Sequence, residues 1–392
     1  MLLSLVLIFV CGLVFSEIAQ KLKLPSLVGM ICAGVLLGPY VLDLLTPEIL
    51  SISGDLRKIA LVIIMIRAGL ALDTSDLRRV GRPAILMSFV PATLEIAAVT
   101  LLAPIFFRVS YLEAAIMGTV LGAVSPAVVV PRMLKMIEHG YGKSKSIPQL
   151  ILAGASVDDI YVIVLFTSFM GMYSAGSFDM RGLIETPVAI VVGLLAGIVS
   201  GLILVPLFKT IQLRDTVKTL VILSFSLLLV ALEDVIKAYV PMSGLLSVMA
   251  LGGTVLKQYD TFARSLSDRL SKIWVAAELM LFVLVGAALD ISYAAQAGVF
   301  VVALIFAALA IRICGVFVSL LRTKLSKKER LFCAIAYLPK ATVQAAIGGL
   351  PLAAGVAAGD IILTVAVLAI LITAPLGAIG IDSLHKRLLA LD

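Results

Sequence analysis

Apolar segments of about twenty residues recur along the whole of this 392-residue chain, and the polar stretches between them are too short to form a soluble domain. A helix needs roughly 20 apolar residues to cross the hydrocarbon core of a bilayer. In this sequence 61% of the residues are hydrophobic and 14% are charged, whereas about a quarter of the residues in a typical soluble domain are charged. The sequence therefore predicts a single all-α, polytopic membrane protein.

Thirteen membrane spans are predicted from these segments, which places the two termini on opposite sides of the membrane. With the N-terminus outside, 23 of the 31 Lys and Arg residues fall in cytoplasmic loops, 5 fall in outside loops and three lie within spans. Because cytoplasmic loops are enriched in Lys and Arg, we predict an N-out, C-in protein of the cell membrane. The net charge of +7 follows from this asymmetry, so it does not indicate nucleic-acid binding. The approximate spans are 2–20, 25–42, 59–73, 83–107, 111–134, 148–172, 183–208, 217–236, 240–256, 272–289, 296–320, 330–352 and 360–384.

Two adjacent carboxylates, Asp158 and Asp159, lie in the middle of the sixth predicted span. A charge at the centre of a bilayer costs at least a few kcal/mol, and ionisable groups inside membranes typically mark ion or proton pathways. Packing alone does not account for two such residues in a row. We predict that the pair binds a monovalent cation, a proton, or each in turn, with Asp159 as the stronger candidate for direct coordination.

Landmarks in the two halves of the chain recur at a nearly constant spacing of 213 to 217 residues, or seven spans. A shift by an odd number of spans reverses the orientation of the second copy, so the spacing predicts an inverted repeat. We place the first repeat at 1–182, a connector helix at 183–216 and the second repeat at 217–392. The matched pairs are Pro25 with Pro241, segment 69–73 with segment 286–290, Glu95 with Arg312, and Pro126 with Pro339.

Prolines interrupt the fifth and twelfth spans, which correspond to each other in the predicted repeats. Span 5 contains Pro126 and Pro131, and span 12 contains Pro339. Proline removes a backbone donor and clashes with the preceding helical turn, and transporters with inverted repeats bind their substrates at discontinuous helices of this kind. We predict that both helices are broken. Ser125 and Thr342, beside the breaks, are expected to add hydroxyl oxygens to a cation site.

Three further charges lie well inside the predicted spans: Glu95, Arg312 and Lys340. With the aspartate pair they sum to −1, which leaves one negative charge for a monovalent cation or a proton to neutralise. Glu95 and Arg312 are predicted to form a buried ion pair, because a buried charge without a partner is strongly destabilising. The alternative is that Arg312 pairs with Asp158. Lys340 either neutralises the carbonyl ends of a broken helix, which we favour, or competes with the cation for the aspartates.

Three sequence strings carry a resemblance to a known family: AVSPAVVVP at 123–131, GASVDD at 154–159 and LPKATVQAAIG at 338–348. Together they resemble the monovalent cation/proton antiporters, specifically the NHA-type sodium/proton antiporters, and the resemblance covers almost the full chain. It implies an NhaA-like fold of about 13 helices with two crossed discontinuous helices. It also implies a homodimer, elevator-like alternating access, and separate core and dimerisation domains that are each built from both repeats.

The same resemblance implies that Asp158 and Asp159 form the ion-binding pair and that Lys340 and Thr342 lie on the second broken helix. The chain departs from the family pattern at one position. Many electrogenic relatives have a lysine on the helix corresponding to span 11, where it pairs with the first aspartate, whereas this chain offers Arg312. The sequence therefore leaves open whether exchange is electrogenic or electroneutral.

The predicted function is secondary active antiport of Na⁺ (or Li⁺) against H⁺, without enzymatic activity and without a resident cofactor. Potassium/proton exchange is an alternative, because oxygen ligands of these types do not exclude K⁺. A sodium-coupled symporter of an organic anion on the same fold is a further alternative, for which Arg312 is the visible anion-binding arginine. A channel is disfavoured, because a pore needs an ion path that is open to both sides at once.

Overall fold

The computed structural model describes residues 1–70, 81–174, 180–211, 213–236 and 240–391, without the side chains of 180–187 and 234. The regular structure of these residues is α-helical apart from one isolated β-bridge, so the predicted all-α class is confirmed. In chain order the helices are α1 (Leu2–Lys21), α2 (Ser26–Leu37), α3 (Pro47–Ser51), α4 (Ser53–Leu70), α5 (Arg82–Phe107), α6 (Tyr111–Gly122), α7 (Pro126–Glu138), α8 (Ile147–Ser174), α9 (Met180–Thr210), α10 (Asp215–Ile236), α11 (Gly244–Gln258), α12 (Asp260–Ala287), α13 (Ile291–Ser319), α14 (Lys327–Ala336), α15 (Thr342–Ile347), α16 (Leu350–Ala353) and α17 (Gly359–Leu388).

Within the described residues, nine helices are long and apolar enough to cross a membrane by length and composition. Two shorter apolar helical segments are Ser26–Leu37 and Thr342–Ala353. The predicted count of thirteen spans stays a prediction. The end of the third predicted span, with the repeat landmark at Asp73, lies outside the described residues.

The helix that contains the tenth predicted span is longer than the span itself. Its helix, α12, begins at Asp260 and not near residue 272. The basic residues before 272 lower the hydropathy of that segment, but they do not prevent it from being helical. Arg264 pairs with Asp260 one turn earlier, with Nη2 and Oδ2 2.9 Å apart, and such pairs stabilise helices by a few tenths of a kcal/mol.

The chain folds into two compact units. The first comprises Met1–Gly54, Asp73–Phe166 and Leu281–Asp392, and the second comprises Asp55–Leu72 and Thr167–Met280. Both interrupted helices, and every side chain predicted to bind or compensate the ion, belong to the first unit. The predicted division into two inverted repeats and a connector helix concerns the symmetry of the chain and not its compact units, and it stays a prediction.

Two helices of the first unit are interrupted, as predicted. The first interrupted helix consists of α6 and α7, and the second consists of α14 and α15. Pro126 begins α7, and Ser125 before it is extended (φ −85°, ψ 110°), as expected of a residue that precedes proline. Pro339 lies in the gap between α14 and α15. Pro131 was also expected at a break, but it lies inside α7, where a helix can continue at the cost of one backbone hydrogen bond.

Both interrupted helices begin with the same capping box. Ser110 and Glu113 form it at the start of α6, and Ser326 and Glu329 form it at the start of α14. In each box the serine hydroxyl accepts a hydrogen bond from the backbone N–H of the glutamate. The glutamate carboxylate accepts one from the backbone N–H of the serine. The two serines are 216 residues apart, which lies within the range of offsets of the predicted repeat.

Each capping glutamate also binds a second segment. Oε1 of Glu113 accepts a hydrogen bond from the N–H of Ala358, just before α17, at 3.1 Å. Oε2 of Glu329 accepts one from the ammonium of Lys145, just before α8, at 2.8 Å. Because α8 carries the aspartate pair, the contact between Lys145 and Glu329 ties the start of that helix to the start of the second interrupted helix.

We expect Glu329→Gln to lower the free energy of unfolding at neutral pH by about 1–2 kcal/mol. Burial alone would raise the pKa of Glu329, but hydrogen bonds from Lys145 and Ser326 outweigh it and hold this pKa below its ordinary value. A carboxylate with a lowered pKa stabilises the folded state above its unfolded pKa of about 4.3, and this contribution is lost as the pH falls through the lowered value.

The measurement is thermal unfolding of the detergent-solubilised protein between about pH 3 and pH 7. The difference in stability between wild type and Glu329→Gln should become smaller at acidic pH. Glu138→Gln removes the same charge from an exposed side chain and serves as the control. Equal stability of wild type and Glu329→Gln at neutral pH would refute the anchoring role.

Candidate ion site

The two breaks contact each other in the interior of the first unit. The N–H of Ser125, in the first break, donates a hydrogen bond to the carbonyl oxygen of Pro339, in the second break, at 2.8 Å. The side chain of Gln344, on α15, donates one to the carbonyl oxygen of Ala123 at 2.9 Å. These bonds hold the irregular backbone of both interrupted helices in place. That the two helices also cross, as the resemblance implies, stays a prediction.

The aspartate pair lies beside the first break, in the middle of α8. Asp158 is 0% exposed and Asp159 is 5% exposed. Oδ2 of Asp158 accepts hydrogen bonds from the backbone N–H of Val124 and from Nη2 of Arg312, both at 2.9 Å. Adjacent helical residues point about 100° apart, and the environment of Asp159 differs accordingly. Among the residues that the structure describes, Asp159 has no ion pair, and its Oδ1 has no hydrogen-bond partner.

Arg312, on α13, is fully buried and joins four groups. Its Nη1 lies 2.6 Å from Oε2 of Glu95, and its Nη2 lies 2.9 Å from Oδ2 of Asp158. The guanidinium also donates to the carbonyl oxygens of Gly122 and Tyr337. The sequence left open whether Arg312 pairs with Glu95 or with Asp158, and the structure places it on both at once.

The ammonium of Lys340 lies 2.6 Å from Oε2 of Glu95. From the sequence this ammonium was expected on the carbonyl ends of a broken helix or on the aspartates, and the structure places it on neither. The carbonyl ends are bound instead by Arg312 and Gln344. The backbone N–H of Lys340 donates to Oγ1 of Thr373, on α17, at 2.9 Å.

The pairing of these charges explains the predicted net charge of −1. Glu95 is bound to both cations, Arg312 and Lys340, and Asp158 shares Arg312. Two carboxylates and two cations therefore balance. In the described part of the chain, Asp159 is the one carboxylate of this group that forms no ion pair.

Three buried oxygens at the first break have no hydrogen-bond partner among the described residues: Oγ of Ser125, Oδ1 of Asp158 and Oδ1 of Asp159. Buried polar atoms are normally hydrogen-bonded, so these three oxygens are candidate ligands for another species. Hard cations take oxygen ligands, and these atoms fit that preference. Thr342 is buried at the start of α15, and its role as a further ligand stays a prediction.

Tyr337 and Gly154 support the site, and the sequence did not single them out for this role. The ring centroid of Tyr337 lies 5.5 Å from Cζ of Arg312, within the range of a cation–π contact. Gly154 lies one turn before Asp158, and a Cβ there would collide with the hydroxyl of Tyr337. Glycine at 154 therefore lets α8 approach the tyrosine closely. The sequence signal that could have identified Tyr337 is its position two residues before Pro339, at a predicted break.

Comparison with known proteins supports the architecture. The model of a family described as "Sodium/hydrogen exchanger, transmembrane" matches residues 5–386. Sodium/hydrogen exchanger 9B2 of Mus musculus is 33% identical over 411 aligned positions, covering 99% of this chain and 74% of that protein. Sodium/hydrogen exchanger 9B1 of Homo sapiens is 32% identical over 408 positions, covering 99% and 78%. Among solved structures, the sodium proton antiporter MjNhaP1 of Methanocaldococcus jannaschii, determined at pH 8, matches with a TM-score of 0.83 at 20% identity, covering 98% of this chain and 97% of that one. This structural match shows a shared fold.

Proposed function

Because the chain belongs to the sodium/hydrogen exchanger family, a family of multi-pass membrane transporters and not of enzymes, we propose that it exchanges Na⁺ or Li⁺ for H⁺ at Asp159. One observation carries the proposal: among the described residues, Asp159 is the buried carboxylate of the site that has no cationic partner. Glu95 and Asp158 already have cations of their own, so they are less available to a transported cation.

Competition for one carboxylate is sufficient to couple the two ions. A ligand must be deprotonated to bind a metal ion, so cation binding releases the proton and protonation releases the cation. Asp158 would assist through its Oδ1, while its Oδ2 stays bound to Arg312 and Val124. Ser125 and Thr342 would supply hydroxyl oxygens to the same cation.

We propose that one proton is exchanged for one monovalent cation, which makes the cycle electroneutral. Arg312, which pairs with Asp158, keeps its proton in proteins, so this ion pair supplies no second proton. The ammonium of Lys340 is bound to Glu95 and is not on the aspartate pair. Moving one elementary charge through 100 mV changes the free energy by about 2.3 kcal/mol. Exchange rates that are independent of the clamped membrane potential would support this stoichiometry.

Alternating access is proposed to be elevator-like, with the ion site carried by one moving body. In support, all residues of the proposed site belong to the first unit, so a movement of that unit would carry the complete site. We further propose the N-out, C-in orientation, the inverted repeat and a homodimer, as the sequence and its family resemblance predict. An organic-anion symporter is less well supported, because the guanidinium of Arg312 is occupied by four protein groups.

The proposed function is tested in proteoliposomes that contain the purified protein and a pH-sensitive dye. With a pH gradient imposed, addition of Na⁺ or Li⁺ should dissipate the gradient, and protein-free liposomes should not respond. Dissipation by K⁺ but not by Na⁺ or Li⁺ would replace the proposal with potassium/proton exchange. A gradient that none of these cations dissipates would refute antiport.

A further inference from the structure

Gln344 is a buried polar residue that the proposed exchange does not use. It lies on α15 and is 0% exposed. Its Nε2 donates hydrogen bonds to the carbonyl oxygens of Ala123 at 2.9 Å and Leu121 at 3.4 Å. Two carbonyl acceptors fix the orientation of the amide, because its oxygen could not donate to them. Its Oε1 is buried, and no described residue donates a hydrogen bond to it.

The atoms that Gln344 binds lie at the C-terminal end of a half-helix. The last carbonyls of a helix have no intrahelical partner, and this end of a helix carries a partial negative charge. Arg312 binds the carbonyl of Gly122, and Gln344 binds those of Leu121 and Ala123. The permanently charged Arg312 and the neutral amide of Gln344 thus bind three carbonyl oxygens at this helix end.

This helix end adjoins the proposed cation site. Val124, the residue after Ala123, donates its N–H to Asp158, and Ser125 follows it. Backbone carbonyl oxygens coordinate alkali cations well, as potassium channels show. If Gln344 did not bind them, the carbonyls of Leu121 and Ala123 would be available to a cation beside the aspartate pair.

Packing alone does not account for this side chain. A buried amide that serves only to fill space usually has both its donor and its acceptor groups satisfied, and an apolar residue of similar size would fill the same volume without a polar cost. Gln344 instead satisfies two backbone carbonyls and leaves its own oxygen unbonded within the described residues.

We propose that Gln344 determines cation specificity: its amide nitrogen keeps the carbonyl oxygens of Leu121 and Ala123 from coordinating the transported cation, and its amide oxygen is presented in their place. This inference rests on the proposed function. Selectivity between cations depends on the number and flexibility of oxygen ligands. A site with few oxygens favours the smaller Na⁺ and Li⁺, and two added carbonyls would improve coordination of K⁺.

Gln344→Met removes both polar groups at nearly constant volume, and Gln344→Asn keeps the amide but shortens its reach by one methylene. For both variants we expect the ratio of kcat/KM for K⁺ to kcat/KM for Na⁺ to rise about tenfold, since specificity is the ratio of these constants. The measurement is dissipation of a pH gradient in proteoliposomes over a range of Na⁺ and K⁺ concentrations. Two variants keep the test decisive if one of them fails to fold.

Gln149 provides the matched control, because it is a glutamine of the same unit whose buried Oε1 also has no partner among the described residues. It lies near the start of α8 and has no hydrogen bond to the first break in the described structure. Gln149→Met and Gln149→Asn should keep the wild-type ratio. If the folded Gln344 variants also keep that ratio while wild-type protein exchanges Na⁺ for H⁺, the specificity role is refuted and the proposed function stands. A wild-type protein without exchange would refute the proposed function itself.

Discussion

Asp159→Asn protein is expected to fold normally and to have no sodium/proton exchange. In the described structure this carboxylate has no ion pair, and its Oδ1 accepts no hydrogen bond. Asparagine has the same shape, so it removes a buried charge without breaking an ion pair or leaving a cavity. It also removes the one charge that a cation or a proton would neutralise. We expect exchange to fall to the background of protein-free liposomes, with thermal stability equal to or above that of wild type.

Asp158→Asn separates a loss of ion binding from a loss of structure. Asp158 is bound to Arg312 and to the N–H of Val124, so its replacement weakens a buried ion pair and should lower the stability of the protein. Asp159→Asn should not lower it. Full exchange by Asp159→Asn would overturn the assignment of Asp159. Loss of exchange together with a loss of stability as large as that of Asp158→Asn would show that Asp159 has a structural role.

Arg312→Gln is expected to destabilise the protein by about 3–5 kcal/mol, because removal of one partner leaves buried charges uncompensated. Arg312 serves two carboxylates, Glu95 and Asp158, and two backbone carbonyls. Glu95 would retain Lys340, but Asp158 would have no cation. Two measurements test this prediction: thermal or denaturant unfolding in detergent, and the amount of monodisperse protein that is recovered.

Arg264→Gln provides the control for Arg312→Gln. Arg264 also pairs with a carboxylate, that of Asp260, but its side chain is 79% exposed. Exposed ion pairs contribute about 0–1 kcal/mol, so Arg264→Gln should leave stability nearly unchanged. Arg312→Lys should lie between the wild type and Arg312→Gln, because lysine keeps the charge but lacks the planar fork that reaches several acceptors. Wild-type stability of Arg312→Gln would contradict a structural role for the network.

The charged members of the site were predictable from the sequence because charge inside a membrane span is costly. Glu95, Arg312, Lys340 and the aspartate pair were identified in this way, and the repeat offset indicated Glu95 as one of the two carboxylate partners of Arg312. The contact of Lys340 with Glu95 was not predictable, since it depends on the direction of a long side chain across helices that are distant in sequence. Hydropathy and repeat spacing give the order of the spans but not these directions.

Gln344 was missed for a different reason. A neutral amide inside a span costs less than a charge, so it does not stand out against serines and threonines that bond to their own helix. Its proposed role depends on the carbonyl oxygens that have no intrahelical partner at the first break, and these are known only once the end of α6 is located. The position of a break can be inferred from proline at Pro126 and Pro339, but proline does not always break a helix, since Pro131 lies within a continuing one.

The proposed exchange requires a cation and a proton to compete for the carboxylate of Asp159. Isothermal titration of the purified protein with Na⁺, at a series of pH values and constant ionic strength, measures this competition. Competition with one proton predicts that the apparent Kd for Na⁺ rises about tenfold for each unit by which the pH is lowered within the competing range. It also predicts that about one proton is released for each Na⁺ bound, and that Asp159→Asn binds no Na⁺. An apparent Kd for Na⁺ that is the same at every pH, in protein that exchanges Na⁺ for H⁺, would rule out competition at this carboxylate.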